Sequence, residues 1–382
     1  MPFTIARIET FVFRAAIANP VVTSFGSIPE RVSVIIRVED TEGAHGWGDV
    51  WCNFPSYGAE HRALVLARSI APMAIGQGTI GQGIDDPAIL WRELTARSHI
   101  LSVQSGDIGP FAAALAGLDA ALWDLKARRE GVPLFRLLGG TTGRIKVYAS
   151  GLNPSDGPET VDRTREEGFR AFKQKIGFSE HTDITNLRRI RSAMRPGEKL
   201  MVDVNMGWTV EEALRMAPIL QEFDLDWVEE PILADRPEAE WRALAAAYKS
   251  PLAGGENLRG QELLQAASDT WLGVIQPDVG KWGGISGCLA AGQAAVEAEK
   301  RYCPHWLSGG IGLMASAHLL AAAGGQGLLE VDCNPNPLRT LLAQPFPELT
   351  DGAFHLTEAP GIGVEPNLEA AKRYQIAHHE TA

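Results

Sequence analysis

Seven ionisable residues recur along this 382-residue chain at nearly constant spacing, and no other feature of the sequence constrains its fold as strongly. Intervals of 22 to 28 residues separate them, in the order Lys175, Asp203, Glu229, Glu256, Asp278, His305 and Glu330. Such an interval holds one strand, one helix and two short loops, and six of the seven residues end or follow a short apolar run. A repeat that brings one charged group to the end of each strand predicts a β/α barrel with its chemistry at one rim.

Eight segments of strand length fit this barrel. They are IKVYASG, AFKQKIG, LMVDVNM, DWVEEP, PLAGGEN, GVIQPDV, RYCPHWL and GLLEVD, and helical segments alternate with them. Thr209 and Glu212 form a capping box at the start of one such helix, which Pro218 is expected to kink. The evenly repeated polar ends favour a closed barrel, because an open sheet concentrates its site at one switch point.

The first 130 residues follow a different pattern. FTIARIETFVF and RVSVIIRVED alternate like antiparallel strands, and FAAALAGLDAALWDLKARR has the spacing of a helix with one apolar face. Strands followed by helices are typical of an α+β domain. We therefore predict an α+β domain at residues 1–130 and an α/β barrel domain at residues 131–344. Residues 345–382 carry no further repeat, and we expect them to pack against the first domain.

Composition and charge argue against several classes of function. A net charge of −12 argues against nucleic acid and anionic membranes as partners. No apolar run reaches the ~20 residues of a membrane span, and the N-terminal segment lacks the pattern of a signal peptide. The four cysteines have no metal-ligand spacing. These features predict a cytoplasmic protein with reduced thiols that acts on a small molecule.

Asp203, Glu229 and Glu256 follow three successive strands and would repel one another at one rim. A hard divalent cation relieves such repulsion, and Mg²⁺ suits a few carboxylates together with substrate oxygens. One acidic residue at a strand end is as often a helix cap or an ion-pair partner as a metal ligand. Three such residues in phase favour one magnesium site. Asn205 shares the strand face of Asp203 and is placed to contact the same ligand. Glu230 follows Glu229 and is expected to point away in a structural role.

Lys173 and Lys175 also share one strand face, where a buried ammonium group is costly unless it meets an anion. Either they balance the carboxylates, or Lys173 and the metal lower the pKa of Lys175 so that it becomes a neutral base. We favour the second interpretation. Schiff-base formation by such a lysine is an alternative, and it leaves the three carboxylates unexplained.

His305 is in phase with the strand ends, and Asp278 lies one unit earlier on the neighbouring strand. A carboxylate at that position would hold the imidazole tautomer and raise its basicity. The alternative is a core histidine bonded to the backbone. Glu330 ends the last strand, where it would bind a substrate carboxylate or hydroxyl, or form an ordinary ion pair. The segment GKWGGISG after Asp278 matches no phosphate-binding fingerprint and is expected to form a tight loop.

A magnesium site between a lysine and a histidine indicates abstraction of the proton α to a carboxylate, through an enediolate that the metal stabilises. Proton return from the other side gives racemisation or epimerisation. Loss of a β-hydroxyl gives dehydration, and loss of a lactone oxygen gives cycloisomerisation. A barrel that binds a ligand without catalysis is the alternative outside enzymes, and it is disfavoured because every expected acid, base and ligand is present.

The segments ALWDLKAR, PLFRLLGG, KQK, VDVN, WVEEP, GGEN, QPDVGKWGG and PHW together resemble the mandelate racemase/muconate lactonizing enzyme family of the enolase superfamily, over nearly the whole chain. The resemblance implies a modified (β/α)7β barrel and a capping domain made from both ends of the chain. It implies that Lys175 and His305 are the two bases, tuned by Lys173 and Asp278. By the same resemblance the Mg²⁺ ligands are Asp203, Glu229 and Glu256.

Asp278 makes the chain similar to the mandelate racemase subgroup, since muconate-lactonizing relatives carry a lysine there. The resemblance then implies a sugar-acid dehydratase that forms a homo-oligomer, from dimer to octamer. A racemase, an epimerase or a sugar-lactone cycloisomerase is the alternative. It also implies that substrate specificity lies in two capping-domain loops, at about Ala18–Ile28 and Trp51–Gly58. The residues that these loops offer to a substrate are Trp51, Asn53 and Ser24.

Overall fold

The structure is a computed structural model and describes residues 2–75 and 83–382. The N-terminal elements are β1 (Ile5–Thr23), β2 (Gly26–Asp40), β3 (His45–Val50), α1 (Ala59–Val65), α2 (Ala71–Ala74), α3 (Pro87–Ser105) and α4 (Ile108–Glu130). After α5 (Leu134–Leu137) come β4 (Arg144–Leu152), α6 (Gly157–Glu166), β5 (Ala171–Lys175), α7 (Glu180–Ala193), β6 (Lys199–Asp203), α8 (Val210–Leu220), β7 (Val228–Glu229) and α9 (Glu238–Ala247). The series continues with β8 (Leu252–Gly254), α10 (Gly260–Ser268), β9 (Val274–Ile275), α11 (Gly284–Glu297), β10 (Arg301–Tyr302), α12 (Gly310–Ala323) and β11 (Leu329–Asp332). The C-terminal elements are α13 (Pro337–Leu341), β12 (Leu349–Thr350), β13 (Ala353–His355), α14 (Leu368–Ala371) and β14 (Gln375–Thr381).

The capping domain is an antiparallel sheet covered by helices. Its strand order is β14–β1–β2–β3, so the last strand of the chain pairs with the first. Helix α4 packs on β3, and only glycine permits this distance, because a Cβ at Gly48 would lie 2.0 Å from the carbonyl oxygen of Gly117. By length and composition α4 could cross a membrane, but 72% of its apolar stretch is buried inside the protein, which makes it a core helix.

The barrel contains eight parallel strands in the order β10–β9–β8–β7–β6–β5–β4–β11. The seven helices α6 to α12 alternate with these strands along the chain, which is the predicted (β/α)7β arrangement. Each predicted strand segment overlaps one observed strand. The predicted capping box at Thr209 and Glu212 begins α8, and Pro218 lies inside that helix.

Side chains fill the interior of the barrel. One buried residue at or next to each strand joins a single cluster, formed by Tyr148, Ala171, Met201, Trp227, Ala253, Val274, Cys303 and Leu328. A barrel packed in this way has no central channel, so a ligand meets it at the rim where the loops after the strands lie.

The capping domain is bonded to that rim through main-chain and buried polar contacts. The amide of Trp51 donates to the carbonyl of Gly280 at 3.0 Å, and the hydroxyl of Ser308 donates to the carbonyl of Val32 at 3.1 Å. Arg31 forms a buried ion pair with Asp332, the last residue of β11. The C-terminal segment is divided between the domains, since β13 pairs with β4 of the barrel and β14 with β1.

His318 of α12 is expected to make stability depend on pH. It is fully buried, accepts a hydrogen bond from the Phe135 amide at 3.0 Å and donates one to the Ile362 carbonyl at 3.2 Å. Burial disfavours the charged ring and lowers the pKa of His318 to about 4, from 6.5. The contribution of neutral His318 to the stability of the folded protein is therefore fully present above pH 6.5. It is lost as the pH falls towards 4. We expect a loss of about 2 kcal/mol between pH 7 and pH 5.

Urea unfolding of the wild type and of His318→Gln at the two pH values tests this. Glutamine can keep both hydrogen bonds but does not titrate, so the variant should lose less stability than the wild type over the same interval. An equal loss in both proteins would show that His318 is not the titrating group.

Candidate active site

Strand register brings the predicted residues to one end of the barrel. Lys175 is paired with Asp203 across β5 and β6, and Asp203 with Glu229 across β6 and β7. Beyond the ends of β9 and β10, Asp278 and His305 form an isolated parallel bridge. The side chains therefore meet beneath the capping domain, as their spacing predicts.

Lys173 lies at the centre of a network of buried charges. Its Nζ lies 2.6 Å from Glu229 Oε1, 2.8 Å from Glu330 Oε1 and 3.7 Å from Asp203 Oδ2. Burial opposes the charge on Lys173, but Glu229 and Glu330 outweigh it and raise the pKa of the ammonium well above its usual value. Lys173 is thus a cation at neutral pH that joins Asp203 and Glu229 to Glu330.

Glu330 is an ionised acceptor in this network. Burial raises its pKa, but Lys173 and His305 lower it more, and the net pKa lies below the usual value. The Ser150 hydroxyl and the Trp306 amide also donate to its carboxylate. Of the two predicted roles, binding a substrate hydroxyl agrees with this charge state, whereas hydrogen bonding to a substrate carboxylate would require a protonated acid.

Lys175 is hydrogen bonded to Asp203. The same carboxylate accepts from the backbone amide of Asn205 at 2.8 Å and from its side-chain Nδ2 at 3.1 Å. Burial and Lys173 lower the pKa of Lys175, but the attraction of Asp203 is stronger and the net pKa is raised. The direct ion pair with Asp203 thus outweighs the repulsion by Lys173, and the lowering expected from Lys173 and the metal together stays a prediction.

His305 lies among three carboxylates. Its Nδ1 is 2.6 Å from Asp278 Oδ2, and its Nε2 is 3.1 Å from Glu256 Oε2 and 3.8 Å from Glu330 Oε2. The amide of Gly280 donates to Asp278 at 2.8 Å and fixes that carboxylate. Burial opposes a charge on His305, but Glu256 and Glu330, with the bond to Asp278, raise its pKa to about 9. The imidazole therefore carries a proton at neutral pH.

Lys281 belongs to the site, although the regular spacing does not point to it. Its Nζ lies 2.6 Å from Glu256 Oε2 and 3.1 Å from Asn257 Oδ1, and 4.5 Å from the centroid of the Trp51 ring. It stands in the glycine-rich segment that was predicted only as a tight loop. A cation three residues after Asp278 is the signal that would have found it.

Glu230 also lies at the site, contrary to the prediction that it points away. Its backbone is left-handed, with a φ of 38°, so the alternation of strand faces is broken after Glu229. Both carboxylate oxygens accept from Asn257 Nδ2 at 3.0 Å. Burial and the neighbouring charge of Glu256 raise the pKa of Glu230 well above its usual value.

Two residues of the second predicted specificity loop have different roles. One contacts the charged residues of the site, and the other holds the loop against the barrel. The rings of Trp51 and His305 lie 5.3 Å apart between centroids. Asn53 is only 4% exposed, and its side-chain Nδ2 donates to the Leu307 carbonyl. Trp51 thus contacts the predicted base, whereas the amide of Asn53 ties the loop to the barrel.

The first predicted specificity loop is the end of a β-hairpin. β1 continues to Thr23 and β2 begins at Gly26, because the β-branched residues before the turn extend the strand pairing. At the tip, the Ser24 hydroxyl donates to the Val204 carbonyl at 2.9 Å. The structure therefore places Ser24 against the backbone next to Asp203, at the rim of the barrel.

The three predicted magnesium ligands fit a hard cation by their chemistry. All are buried carboxylates after neighbouring strands, and burial together with the charge of Asp203 raises the pKa of Glu229 to about 7. Over the described ranges, no group of three His, Cys, Asp or Glu side chains is arranged to hold a metal ion. Each of the three carboxylates contacts a lysine instead, and a divalent cation would replace part of this compensating charge.

A cavity of about 820 Å³ adjoins the charged cluster. Trp51, Asn257 and Lys281 line it and also contact cluster residues, so it opens onto the same site. The remaining wall comes mainly from the loops and helices around α9 and α10. Its volume is that of a pocket for a small organic ligand.

A (β/α)7β barrel under an α+β cap, with carboxylates, lysines and a histidine at its rim, defines the enolase superfamily. The family model for the mandelate racemase/muconate lactonizing enzyme N-terminal domain matches residues 7–139, and that for the enolase C-terminal domain-like region matches residues 158–371. The chain belongs to the mandelate racemase/muconate lactonizing enzyme family of this superfamily.

Relatives over the full length differ in their reactions. A mandelate racemase/muconate lactonizing enzyme from Bordetella bronchiseptica RB50 is 46% identical, with a TM-score of 0.91 over 98% of this chain and 100% of that one. D-galactarolactone cycloisomerase from Agrobacterium fabrum is 28% identical over 97% of this chain and 99% of its own length. L-talarate/galactarate dehydratase from Salmonella typhimurium LT2, liganded with Mg and L-lyxarohydroxamate, is 26% identical, with a TM-score of 0.85 over 100% of this chain and 95% of that one.

Magnesium binding should depend on the carboxylate of Glu229. Glu229→Gln keeps the shape of the side chain and removes its charge, so the Kd for Mg²⁺ should rise more than about tenfold. Titration calorimetry with MgCl₂ measures this, and Glu211→Gln on the exposed surface of α8 is the matched control. Equal Kd values for the wild type and Glu229→Gln would remove Glu229 from the ligand set.

Proposed function

We propose that this chain is a Mg²⁺-dependent lyase that takes the α-proton from a sugar acid and expels the β-hydroxyl, giving a 2-keto-3-deoxy acid. The observation that carries the proposal is the state of His305. Its buried imidazole is held by Asp278, whose Oδ2 lies 2.6 Å from Nδ1, while Lys175 lies on a strand that is not its neighbour. A dehydration needs one group that accepts the α-proton and a second that donates a proton to the leaving oxygen.

Three buried carboxylates and the magnesium of the related dehydratase support Mg²⁺ as the cofactor. Asp203, Glu229 and Glu256 would hold it. When bound, Mg²⁺ supplies positive charge that offsets the negative charge developing on the substrate carboxylate.

Lys175 is the proposed base. The ion pair with Asp203 raises its pKa in this structure, and that attraction would weaken if Asp203 also bound a metal cation. Lys173 stays charged between Glu229 and Glu330 and continues to lower the pKa of Lys175. Lys173 thus favours the neutral amine required of a base, and the carboxylate that opposes it, Asp203, is the one that the cofactor would share.

His305 is the proposed acid. Asp278 holds Nδ1, so Nε2 is the atom that can give a proton to the departing hydroxyl. Glu330 is ionised and faces Nε2 at 3.8 Å, where it can accept a hydrogen bond from a substrate hydroxyl.

Cycloisomerisation of a sugar lactone is the second candidate. The observation that favours it is the alignment with D-galactarolactone cycloisomerase over 97% of this chain and 99% of that enzyme. A ring oxygen would then leave in place of the hydroxyl, and the same lysine and histidine would serve as base and acid. Racemisation or epimerisation would use both groups as bases.

The reaction can be identified with a library of aldonates, aldarates and their lactones in D₂O. We expect a 2-keto-3-deoxy acid from at least one open-chain acid in the presence of Mg²⁺, and no product in EDTA. Deuterium incorporation without a keto product would identify a racemase or epimerase instead. Consumption of lactones alone would identify the cycloisomerase.

Two variants separate the base from the acid. Lys175→Ala should lose both α-proton exchange and product formation by about 10²-fold or more, because no group remains to take the proton. His305→Asn should keep exchange and lose dehydration by about 10²- to 10⁴-fold, because the leaving group is no longer protonated. NMR in D₂O measures exchange, and the opposite pattern would exchange the two roles.

A further inference from the structure

Arg62 lies at the cavity wall and has no ionic partner among the residues that the structure describes. It lies in α1, after the second predicted specificity loop, and lines the cavity together with Trp51 and Lys281. Its Nη1 donates to the Gly58 carbonyl at 3.1 Å and its Nη2 to the Phe54 carbonyl at 3.2 Å. Its Nε is buried and has no hydrogen-bond partner among the residues that the structure describes. The other N–H groups of the guanidinium are uncommitted.

This state distinguishes Arg62 from the other buried and partly buried arginines of the capping domain. Arg14 pairs with Glu30 and Glu60, and Arg31 pairs with Asp332. The described structure brings no carboxylate into contact with Arg62. The charge of Asp107 raises the pKa of Arg62, but this carboxylate contacts His61, with 3.2 Å between Asp107 Oδ2 and His61 Nε2.

A partly buried guanidinium without a counter-ion is unfavourable, since burial disfavours its charge. This burial lowers the pKa of Arg62 below its usual value. Two backbone carbonyls compensate only part of the charge. The position is therefore suited to an anion that arrives through the cavity.

The rest of the cavity agrees with an anionic ligand at this end. Arg259 lines it, stacks at 4.1 Å on the ring of Trp282, and forms no ion pair within the described ranges. Carboxylates also line the cavity, on the α9 and α10 side, where Asp235 and Glu262 are exposed to solvent and Glu238 is paired with Arg242. The uncommitted positive charge thus lies with Arg62 and Arg259.

We propose that Arg62 binds the second carboxylate of a dicarboxylic sugar acid, so that the substrate class is an aldarate and not an aldonate. This inference rests on the proposed function, which assigns the first carboxylate to the end of the site near Asp203, Glu229 and Glu256. Trp51 and Lys281 connect the two ends, because each contacts the cluster and lines the cavity. Arginine suits this role, since its planar fork matches a carboxylate.

Binding to an inactive enzyme tests the inference without requiring turnover. Lys175→Ala loaded with Mg²⁺ is titrated by calorimetry with galactarate and galactonate, and with glucarate and gluconate. For at least one pair, the diacid should bind about tenfold more tightly than the monoacid. Adding Arg62→Met should abolish this preference by weakening the diacid about tenfold or more, and should leave the monoacid within about threefold.

Arg236→Met is the matched control, since Arg236 lines the same cavity but is paired with Glu240. It should leave the preference unchanged. Arg62→Lys keeps the charge without the planar fork and should retain part of the preference. Circular dichroism of each variant checks that it is folded.

Three results would overturn the inference. The first is equal binding of monoacid and diacid in both pairs. The second is an equal loss of both ligands in Arg62→Met, which would make Arg62 only a clamp for its loop. The third is no binding of any of the four acids. A failure of the proposed function has a different signature. A diacid that binds through Arg62 but yields no keto product in the active enzyme would overturn the dehydratase and keep the subsite.

Discussion

The ion pairs of Lys173 are the interaction on which the rest of this site depends. A buried rim that carries the carboxylates of Asp203, Glu229 and Glu330 is strongly unfavourable unless cations lie among them. Lys173 contacts all three and is itself fully buried. Because Glu229 and Glu330 on either side raise its pKa, Lys173 remains charged, and its charge acts on Lys175. The charge of Lys173 thus lowers the pKa of Lys175, the proposed base.

The capping domain makes these charges effective by excluding water from the rim. It is held there by bonds such as that from the Trp51 amide to the Gly280 carbonyl, and by the packed interior that closes the barrel below. In such a site water screens the carboxylates around His305 only weakly. They therefore raise the pKa of His305 to about 9, although burial lowers it. At the neighbouring cavity, Arg62 is partly buried and has only two backbone carbonyls to compensate its charge among the described residues.

Much of the fold and of the charged cluster could be predicted, because parallel strands in register place residues of equal phase at one edge. Lys175, Asp203 and Glu229 are paired in that register. The predictions failed where geometry departs from the regular strand. The left-handed backbone at Glu230 turns a residue expected to point away towards the site, and β pairing extends through the segment expected to be a loop before Gly26. The domain boundaries, the homo-oligomer and the cytoplasmic location stay predictions.

The sequence by itself determined the barrel and the order of the charged residues around it, since a one-dimensional period is enough to specify strand ends. Only the tertiary structure decided which charges meet. Whether Lys281 reaches Glu256, whether Asp203 outweighs Lys173 at Lys175, and whether Arg62 finds a partner depend on separations of a few ångströms. Electrostatic energies change steeply over such distances, and residues far apart in the sequence set them.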